Sequence, residues 1–315
     1  MKVLITGGAG FIGSHLALKL LEQGKQVVLL DNFHSYYAKS RKQFQLEQVQ
    51  RYGNVPFYEC DILHKEDVKA VMQQEKVDAV IHLAGFPGVR PSLEMPGAYI
   101  DINIKGTSNV LTCAGEENVK HVIVASSSSV YGEKTGMPLQ EEMANGRVLS
   151  PYAASKYGAE SLCHAYQYMY GFQLNILRFF TVYGPWGRPD MAIASFIRKL
   201  LNGEEIVVYG KGTGRDYTYI DDITEGIALT LESNRSDVYN LGSNEPILMT
   251  ELLAQLEKHF PLMRVRREAH RQGDVTSTWA DISKAREQLG YEPRVSFAEG
   301  LERTIAWAKQ YPDTV

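Results

Sequence analysis

The sequence predicts an α/β protein with a Rossmann-type doubly wound parallel sheet and a smaller C-terminal substrate-binding lobe. Short apolar runs rich in β-branched residues alternate with helical segments in the first half of the chain, which is the rhythm of repeated βαβ units. A glycine-rich turn follows the first of these runs. After about residue 181 the rhythm changes, and loops rich in Gly and Pro separate the helices.

The predicted strands are apolar on both faces, as expected of parallel strands covered by helices on both sides. They lie at residues 2–6, 26–31, 56–60, 79–83, 122–126 and 174–180. Helices of the second half are predicted at residues 192–202, 250–259 and 297–309. We therefore expect one domain at residues 1–180 and a mainly substrate-binding lobe at 181–315, with some segments of the lobe returning to the first domain.

Composition excludes several classes of protein. The 315 residues are 44% hydrophobic and carry a formal net charge of −4, so the chain can bury a large core and lacks the basic excess of a general nucleic-acid binder. Cys60, Cys113 and Cys163 show no paired spacing, which indicates a reducing compartment without disulfides. Neither a metal-ligand spacing, a signal peptide nor a membrane-spanning run is evident. We expect a cytoplasmic protein that binds no metal, membrane or nucleic acid.

The glycine-rich turn predicts a dinucleotide site. Gly7, Gly10 and Gly13 follow the first predicted strand and open a helix, where glycines let backbone N–H groups approach a pyrophosphate at the positive end of the helix. Asp31 ends the second strand, and a carboxylate there accepts hydrogen bonds from ribose hydroxyls and repels a 2′-phosphate. The expected cofactor is NAD rather than NADP. The alternative is a purely structural glycine turn.

Two further strand ends fit the same ligand. Asp61 and Ile62 follow the third strand, where an adenine ring can rest. His82 ends the fourth strand, and the small residues after it leave room for the dinucleotide. Ordinary packing at a strand end is the alternative for both segments, and His82 itself fits either interpretation.

A second group of residues predicts the chemistry. Tyr152 and Lys156 lie four residues apart on one face of a helix that Ser150 and Pro151 begin. An ammonium beside a phenol lowers the phenol pKa, so Tyr152 is a candidate general base. The serine run 126–129 adds a hydroxyl for the same substrate oxygen. An exposed helix pair and a polar turn are the alternatives, but together with a dinucleotide site these residues indicate hydride transfer at a carbinol carbon.

On these motifs the chain resembles the extended short-chain dehydrogenases/reductases, the group that contains nucleotide-sugar epimerases and dehydratases. The resemblance covers essentially the whole chain. It implies tightly held NAD, a homodimer built on helix packing, and Ser127 as the catalytic hydroxyl beside Tyr152 and Lys156. The cofactor contacts that it implies are Gly7, Gly10, Phe11, Ile12, Gly13, Asp31, Asn32, Asp61, Ile62, Leu83, Ala84, Tyr152, Lys156 and Phe180.

Within this group, the residues after Ser127 favour plain epimerisation. The dehydratases carry an Asp-Glu pair just after the catalytic hydroxyl, and the uronate decarboxylases carry a Glu at the position of Ser129. This chain has Ser128 and Ser129 instead, and a hydroxyl is a poor general acid or base at neutral pH. The resemblance therefore implies a 4-keto intermediate that is reduced again on its other face.

Segment 178–191 is similar to the loop of the UDP-glucuronate 4-epimerases, and segment 84–94 is similar apart from Phe86-Pro87. The pair Tyr36-Tyr37 after Asp31 resembles them too. This similarity implies a UDP-sugar substrate and makes Arg188 the candidate for a sugar carboxylate, because a planar guanidinium makes paired hydrogen bonds. The implied substrate contacts are Arg90, Ser127, Ser128, Ser129, Thr181, Arg188, Arg215 and Arg271, with Asp274 toward the nucleotide ribose.

Other functions stay open at this point. A 4-epimerase that acts on UDP-glucose or UDP-N-acetylglucosamine would share the catalytic residues, and Arg188 would then meet solvent or form a surface ion pair. A protein of another class, a non-catalytic NAD-sensing binding protein, would keep the fold, but it would be free to lose Tyr152 and Lys156.

Overall fold

The computed structural model describes residues 1–134, 136–210, 212–269 and 275–312. Its strands are β1 (Lys2–Thr6), β2 (Gln26–Asp31), β3 (Phe57–Glu59), β4 (Ala79–His82), β5 (His121–Ser127), β6 (Gln173–Phe179), β7 (Thr181–Tyr183), β8 (Ile206–Tyr209), β9 (Gly214–Tyr219), β10 (Asp237–Leu241), β11 (Pro246–Leu248) and β12 (Val265–Glu268). Its helices are α1 (Phe11–Glu22), α2 (Lys39–Gln50), α3 (Lys65–Glu75), α4 (Val89–Glu94), α5 (Pro96–Ile100), α6 (Thr107–Glu116), α7 (Pro151–Tyr170), α8 (Ala192–Leu201), α9 (Ile220–Glu232), α10 (Met249–His259), α11 (Ser283–Leu289) and α12 (Phe297–Gln310). A π-helical segment, Asp101–Gly106, joins α5 to α6. The strands and helices predicted from the sequence are present, and each of their ends lies within about one residue of the prediction.

The central sheet confirms the predicted fold class. Seven strands lie in the order β10-β6-β5-β4-β1-β2-β3, and each neighbouring pair is parallel. Successive side chains of β1 point to opposite faces, so that Val3 and Ile5 enter one hydrophobic core and Leu4 enters the other. Helices α1 and α9 cover the first core, and α3, α6 and α7 cover the second.

Strand β1 lies between β4 and β2, so the strand order reverses beside it. In a doubly wound sheet a crevice opens at such a reversal, outside the carboxyl ends of the strands. The residues that follow β1, β2, β4 and β5 therefore face a common space. This topology places the glycine turn, Asp31 and the serine run at one edge, although they are far apart in the sequence.

The chain after residue 180 contributes to three sheets. Strand β10 lies beside β6 in the central sheet. Strands β7 and β9 pair in parallel, and β11 adds an antiparallel edge to β9. A further parallel pair joins β8 to β12. Because β7 starts two residues after β6 ends, the loop that follows β7 leaves directly from the edge of the central sheet.

Three separate observations bear on membranes, metals and disulfides. Within the described ranges no helix combines the length and apolar character that a bilayer span needs. In the same part of the chain no group of three His, Cys, Asp or Glu side chains is arranged to hold a metal ion. Cys60, Cys113 and Cys163 are free thiols, and all are buried.

His82, at the end of β4, is a buried histidine held between two threonines. Thr6 Oγ1 lies 2.7 Å from its Nδ1, and Thr107 Oγ1 lies 3.0 Å from its Nε2. Burial, together with the charge of Lys156, lowers the pKa of His82 from 6.5 to about 3. Because the folded-state pKa is depressed, the unfolded chain binds more protons below pH 6.5, and stability is lost as the pH falls from there toward 3.

We predict that His82→Gln will flatten the acid limb of the stability profile. Glutamine keeps a polar group between the threonines but does not titrate. Between about pH 6 and pH 4, the free energy of unfolding should fall less steeply than in the wild type, by up to about 1.4 kcal/mol per pH unit. Urea unfolding at a series of pH values measures this slope. His64→Gln is the control, because His64 is exposed; equal slopes in wild type and His82→Gln would contradict the prediction.

Candidate active site

One cleft at the edge of the central sheet brings together the residues expected to contact the cofactor. Its lining contains Gly7, Gly10, Phe11, Ile12, Gly13, Asp31, Asn32, Asp61, Ile62, Leu83, Ala84, Tyr152, Lys156 and Phe180. Two of the expected substrate residues, Ser127 and Arg188, line the same cleft. The strand-end and helix-start positions chosen from the sequence thus converge in space.

Gly7 and Gly13 have no room for a side chain, and the turn between β1 and α1 presents a helix end to the cleft. Gly7 has a φ of 71°, in the left-handed region. A Cβ on Gly13 would stand 2.2 Å from the carbonyl oxygen of Gly7, so the helix can begin this close to the turn only with glycine there. The first turn of α1 contains no acidic residue. The positive helix end and its N–H groups therefore fit a pyrophosphate.

Asp31 provides the carboxylate at the end of β2, but it has a cationic neighbour that the sequence did not reveal. Its Oδ1 accepts a hydrogen bond from the backbone N–H of Phe33 at 2.8 Å and one from Lys42 Nζ at 3.1 Å. Both charged side chains are nearly buried. Asn32 donates to Asp61 at 2.9 Å, which links the second and third strand ends. This arrangement fits an adenosine ribose at Asp31.

Helix α7 holds the candidate catalytic pair. Ser150 caps its start by accepting a hydrogen bond from the backbone N–H of Ala153 at 3.1 Å, and Pro151 is its first residue. Tyr152 and Lys156 both face the cleft, one turn apart. The Lys156 ammonium donates to the backbone carbonyl of Ala125 on β5 at 3.0 Å. The sequence spacing therefore gives a half-buried pair that lines the cleft and not an exposed helix pair.

The expected lowering of the Tyr152 pKa is wrong. Burial raises the pKa of Tyr152 above its ordinary value, against the opposing effects of the Ser127 hydroxyl and the Arg188 charge. Burial also lowers the pKa of Lys156, to about 8. The physical reason is that the cleft removes water from both groups, and desolvation disfavours the charged form of each. Tyr152 is therefore a neutral phenol before ligands bind.

The serine run divides between the cleft and its surroundings. Ser127, the last residue of β5, lines the cleft and interacts with Tyr152. Ser127 Oγ also accepts hydrogen bonds from the backbone N–H and the hydroxyl of Ser129, at 3.2 and 3.0 Å. Ser128 and Ser129 lie in the short helical turn after β5, outside the lining of the cleft, and so does Thr181 at the start of β7. Ser126 is buried and donates to Glu160 at 2.5 Å.

Arg188 lies in the loop after β7, lines the cleft and forms an ion pair with the carboxylate of Asp190. Its Nε and Nη2 donate to the two oxygens of Asp190, at 3.1 and 2.6 Å. The ring of Tyr36 lies 5.6 Å from the guanidinium, and the Tyr36 hydroxyl donates to Asp190 at 3.4 Å. Burial lowers the pKa of Arg188, but Asp190 outweighs burial and the pKa is raised. Asp190 was not among the site residues predicted from the sequence, although a carboxylate two residues after Arg188 is a local indication of an ion pair.

Helices α1 and α2 anchor this loop. Arg41 Nη2 donates to the carbonyl of Gly187 at 2.8 Å, and Gln45 Nε2 donates to the carbonyl of Trp186 at 3.2 Å. His15 of α1 packs its ring against the Trp186 ring, with 4.4 Å between centroids. Trp186 has a φ of 62°, which is uncommon for a residue other than glycine. These contacts join segments more than a hundred residues apart, and no local pattern predicts them.

A second cavity adjoins the cleft and holds other expected substrate residues. Arg90 and Arg215 line it, together with Lys199 and Asp190. The Arg215 guanidinium donates to the carbonyls of Gly214, Val275 and Thr276 at 2.8, 2.8 and 3.1 Å. Because Arg188 lines the first cleft and Asp190 lines the second cavity, their ion pair stands where the two spaces meet. Arg271 and Asp274, also expected to bind substrate, lie outside the described residues.

Comparison with known proteins assigns the chain to a family. Residues 3–242 match the model of the NAD dependent epimerase/dehydratase family. A UDP-glucuronate 4-epimerase of Thermodesulfobacterium geofontis is 41% identical over 310 residues, which cover 98% of this chain and 96% of that protein.

The chain is also similar to solved structures of nucleotide-sugar epimerases. A UDP-glucuronic acid 4-epimerase from Bacillus cereus, in complex with UDP-glucuronic acid and NAD, is 37% identical with a TM-score of 0.93, and the match covers 98% of this chain and 99% of that one. A UDP-glucose 4-epimerase from Thermotoga maritima, with UDP-glucose, is 32% identical with a TM-score of 0.91, and the match covers 99% of this chain and 100% of that one. The chain therefore belongs to the NAD dependent epimerase/dehydratase family, which confirms the predicted family, enzyme class and NAD cofactor.

Proposed function

We propose that this protein interconverts UDP-glucuronate and UDP-galacturonate by 4-epimerisation. The observation that carries the proposal is the position of Arg188 in the lining of the catalytic cleft, where its guanidinium holds the Asp190 carboxylate by two hydrogen bonds. A guanidinium held in this geometry suits the carboxylate of a uronate. The charge of Arg188 also acts on Tyr152, which supports a position within reach of a sugar bound there. Relatives with the same reaction in their names add to this support.

Each catalytic residue has a defined task in this proposal. The chemistry that NAD would supply when bound is reversible hydride transfer at C4 of the sugar. Tyr152 takes the proton of the C4 hydroxyl and gives it back, and the Ser127 hydroxyl holds the same oxygen by a hydrogen bond. Lys156, held by the Ala125 carbonyl, would hold the cofactor ribose, and the positive charge of its ammonium would favour the phenolate of Tyr152. Reduction on the other face of the 4-keto sugar completes epimerisation.

The second cavity is the proposed site for the uridine diphosphate. Arg90 and Arg215 supply positive charge at its wall, and a guanidinium has five N–H donors, so bonds to three carbonyls are compatible with phosphate contact. Arg271 and Asp274 are proposed to join the diphosphate and the ribose. Ser128, Ser129 and Thr181 lie outside the lining of both spaces and are proposed to contact the sugar.

We also propose a homodimer that packs through α7 and the adjoining helices. Large apolar side chains are exposed on this side of the molecule, including Ile100, Tyr168 and Met169. Burial of such side chains against a second copy contributes about 1.5–3 kcal/mol each.

The free thiols of the chain suit the reducing cytoplasm, where UDP-galacturonate is expected to serve polysaccharide biosynthesis.

The competing functions differ in what they require of two residues. A neutral-sugar 4-epimerase needs no cation to bind a carboxylate in the cleft, whereas Arg188 lines the cleft. Because a similar structure contains UDP-glucose, UDP-glucose is included among the test substrates. A non-catalytic NAD sensor does not need Tyr152 and Lys156, but both line the cleft together with Ser127. A panel of UDP-sugars offered to the holoenzyme without added NAD, with identification of the products, tests all three functions.

We predict that Tyr152→Phe will lose most of the turnover, by a factor of about 100 to 10,000, because the phenol acts in proton transfer. UDP-glucuronate should bind the variant almost as well as the wild type. Ser127→Ala should cost less, about 1–3 kcal/mol in the activation free energy, as expected for one hydrogen bond to a developing charge. Single-turnover rates and calorimetric binding separate the two effects. A Tyr152→Phe enzyme with near-normal turnover would refute the assignment.

We predict that Arg188→Ala will lower kcat/KM for UDP-glucuronate about 10- to 100-fold and change the value for UDP-glucose much less, because only the uronate loses a charge-assisted pair of hydrogen bonds. The 4-keto uronate is a β-keto acid, so loss of the restraint should also release some decarboxylated UDP-pentose. Arg286→Ala is the control, since that arginine pairs with Glu292 on the surface. If both substrates lose equally, or if the wild type prefers UDP-glucose, the neutral-sugar epimerase replaces this proposal.

A further inference from the structure

We infer that Asp190 competes with the sugar carboxylate for Arg188. Both carboxylates pair with the same guanidinium, and the sugar carboxylate displaces Asp190 when the substrate binds. In this role Asp190 sets how strongly the enzyme selects a uronate over a neutral sugar. The inference rests on the proposed function, because it takes Arg188 to be the group that reads the carboxylate of the substrate.

The contact between the two side chains has the form expected of a bound uronate. Arg188 uses two nitrogens on two oxygens of Asp190, at 3.1 and 2.6 Å, which is the paired arrangement of guanidinium and carboxylate. Burial alone would raise the pKa of Asp190, but Arg188 outweighs it and the pKa is lowered. Asp190 is therefore an anion when no substrate is bound, and it neutralises the cation of the cleft.

Exposure indicates which partner can leave. The Arg188 side chain is 20% exposed, and the Asp190 side chain is 42% exposed. Arg188 also lies against the Tyr36 ring, and a Cβ on Gly88 would meet its Nη2 at 3.7 Å. These walls keep the guanidinium in place when its partner changes. Asp190 faces the second cavity, where Lys199 and Arg215 provide other positive charge for the released carboxylate.

The exchange is possible for a charged sugar and not for a neutral one. A uronate replaces one carboxylate on Arg188 with another, so the guanidinium keeps its two charge-assisted hydrogen bonds. The hydroxymethyl group of a neutral sugar cannot compete with Asp190, because a hydroxyl accepts more weakly than a carboxylate. Arg188 then stays paired with Asp190, and the neutral sugar gains nothing from it. Asp190 consequently lowers the affinity for uronates while it keeps the unpaired cation from attracting other anions.

The test compares Asp190→Asn with the wild-type holoenzyme. Calorimetric titration gives the dissociation constants of UDP-glucuronate and UDP-glucose for both proteins, for Arg188→Ala and for the double variant. Without the competing charge, UDP-glucuronate should bind Asp190→Asn about 3- to 10-fold more tightly, and UDP-glucose should change by less than about twofold. In the Arg188→Ala background, Asp190→Asn should no longer favour the uronate. Asp67→Asn is the control, because Asp67 is exposed on α3.

Three results would overturn the inference. Weaker binding of UDP-glucuronate to Asp190→Asn would mean that Asp190 only orients Arg188. Unchanged binding would mean that Asp190 does not compete, and equal tightening of both ligands would mean a general charge effect. The proposed function fails separately, if Arg188→Ala leaves the preference between the two ligands as it is in the wild type. A normal result for Arg188→Ala with any of the three results above leaves the proposed function intact and removes only the role of Asp190.

Discussion

The buried ion pair of Arg178 and Glu160 fixes the geometry on which the active site depends. Glu160 accepts two hydrogen bonds from Arg178, at 3.0 and 2.7 Å, and a third from Ser126. Glu160 lies two turns after Tyr152 on α7, and Ser126 precedes Ser127 on β5. Arg178 thus ties its own strand, β6, to α7 and, through Glu160, to the end of β5. Both charged side chains are almost fully buried, and removal of one partner from such a pair typically costs about 3–5 kcal/mol.

The substrate side of the cleft depends on a different set of contacts. Arg41 and Gln45, on the helix that follows the Asp31 loop, bond the backbone of Gly187 and Trp186. The segment that follows Asp31 and the segment that presents Arg188 therefore share one support. This arrangement gives a rigid position to a loop that would otherwise be free to move, and a small displacement of a binding group is costly when reacting atoms must be aligned.

The sequence predicted the fold well because its signals are local. The glycine turn, the strand-end Asp31 and the Tyr152–Lys156 spacing each follow from short-range geometry, and the sheet topology brings them together. The contacts that were missed join distant segments: Lys42 with Asp31, and Arg41 with the loop before Arg188. The pKa of Tyr152 was misjudged for the same reason, because burial depends on everything packed around the cleft and not on the neighbouring turn of helix.

The two charged groups proposed to meet ligands are both paired within the protein. Asp31 has Lys42, and Arg188 has Asp190. An unpaired ion in a cleft of low polarity is expensive, since desolvation costs several kcal/mol that nothing repays. An internal partner keeps the unliganded protein stable and gives the charge a fixed direction. The partner is also a competitor, so a ligand must offer a contact at least as good as the one it replaces. At Arg188, selectivity is then a comparison between two carboxylates: the partner already in place lowers the affinity for a uronate and leaves the affinity for a neutral sugar unchanged.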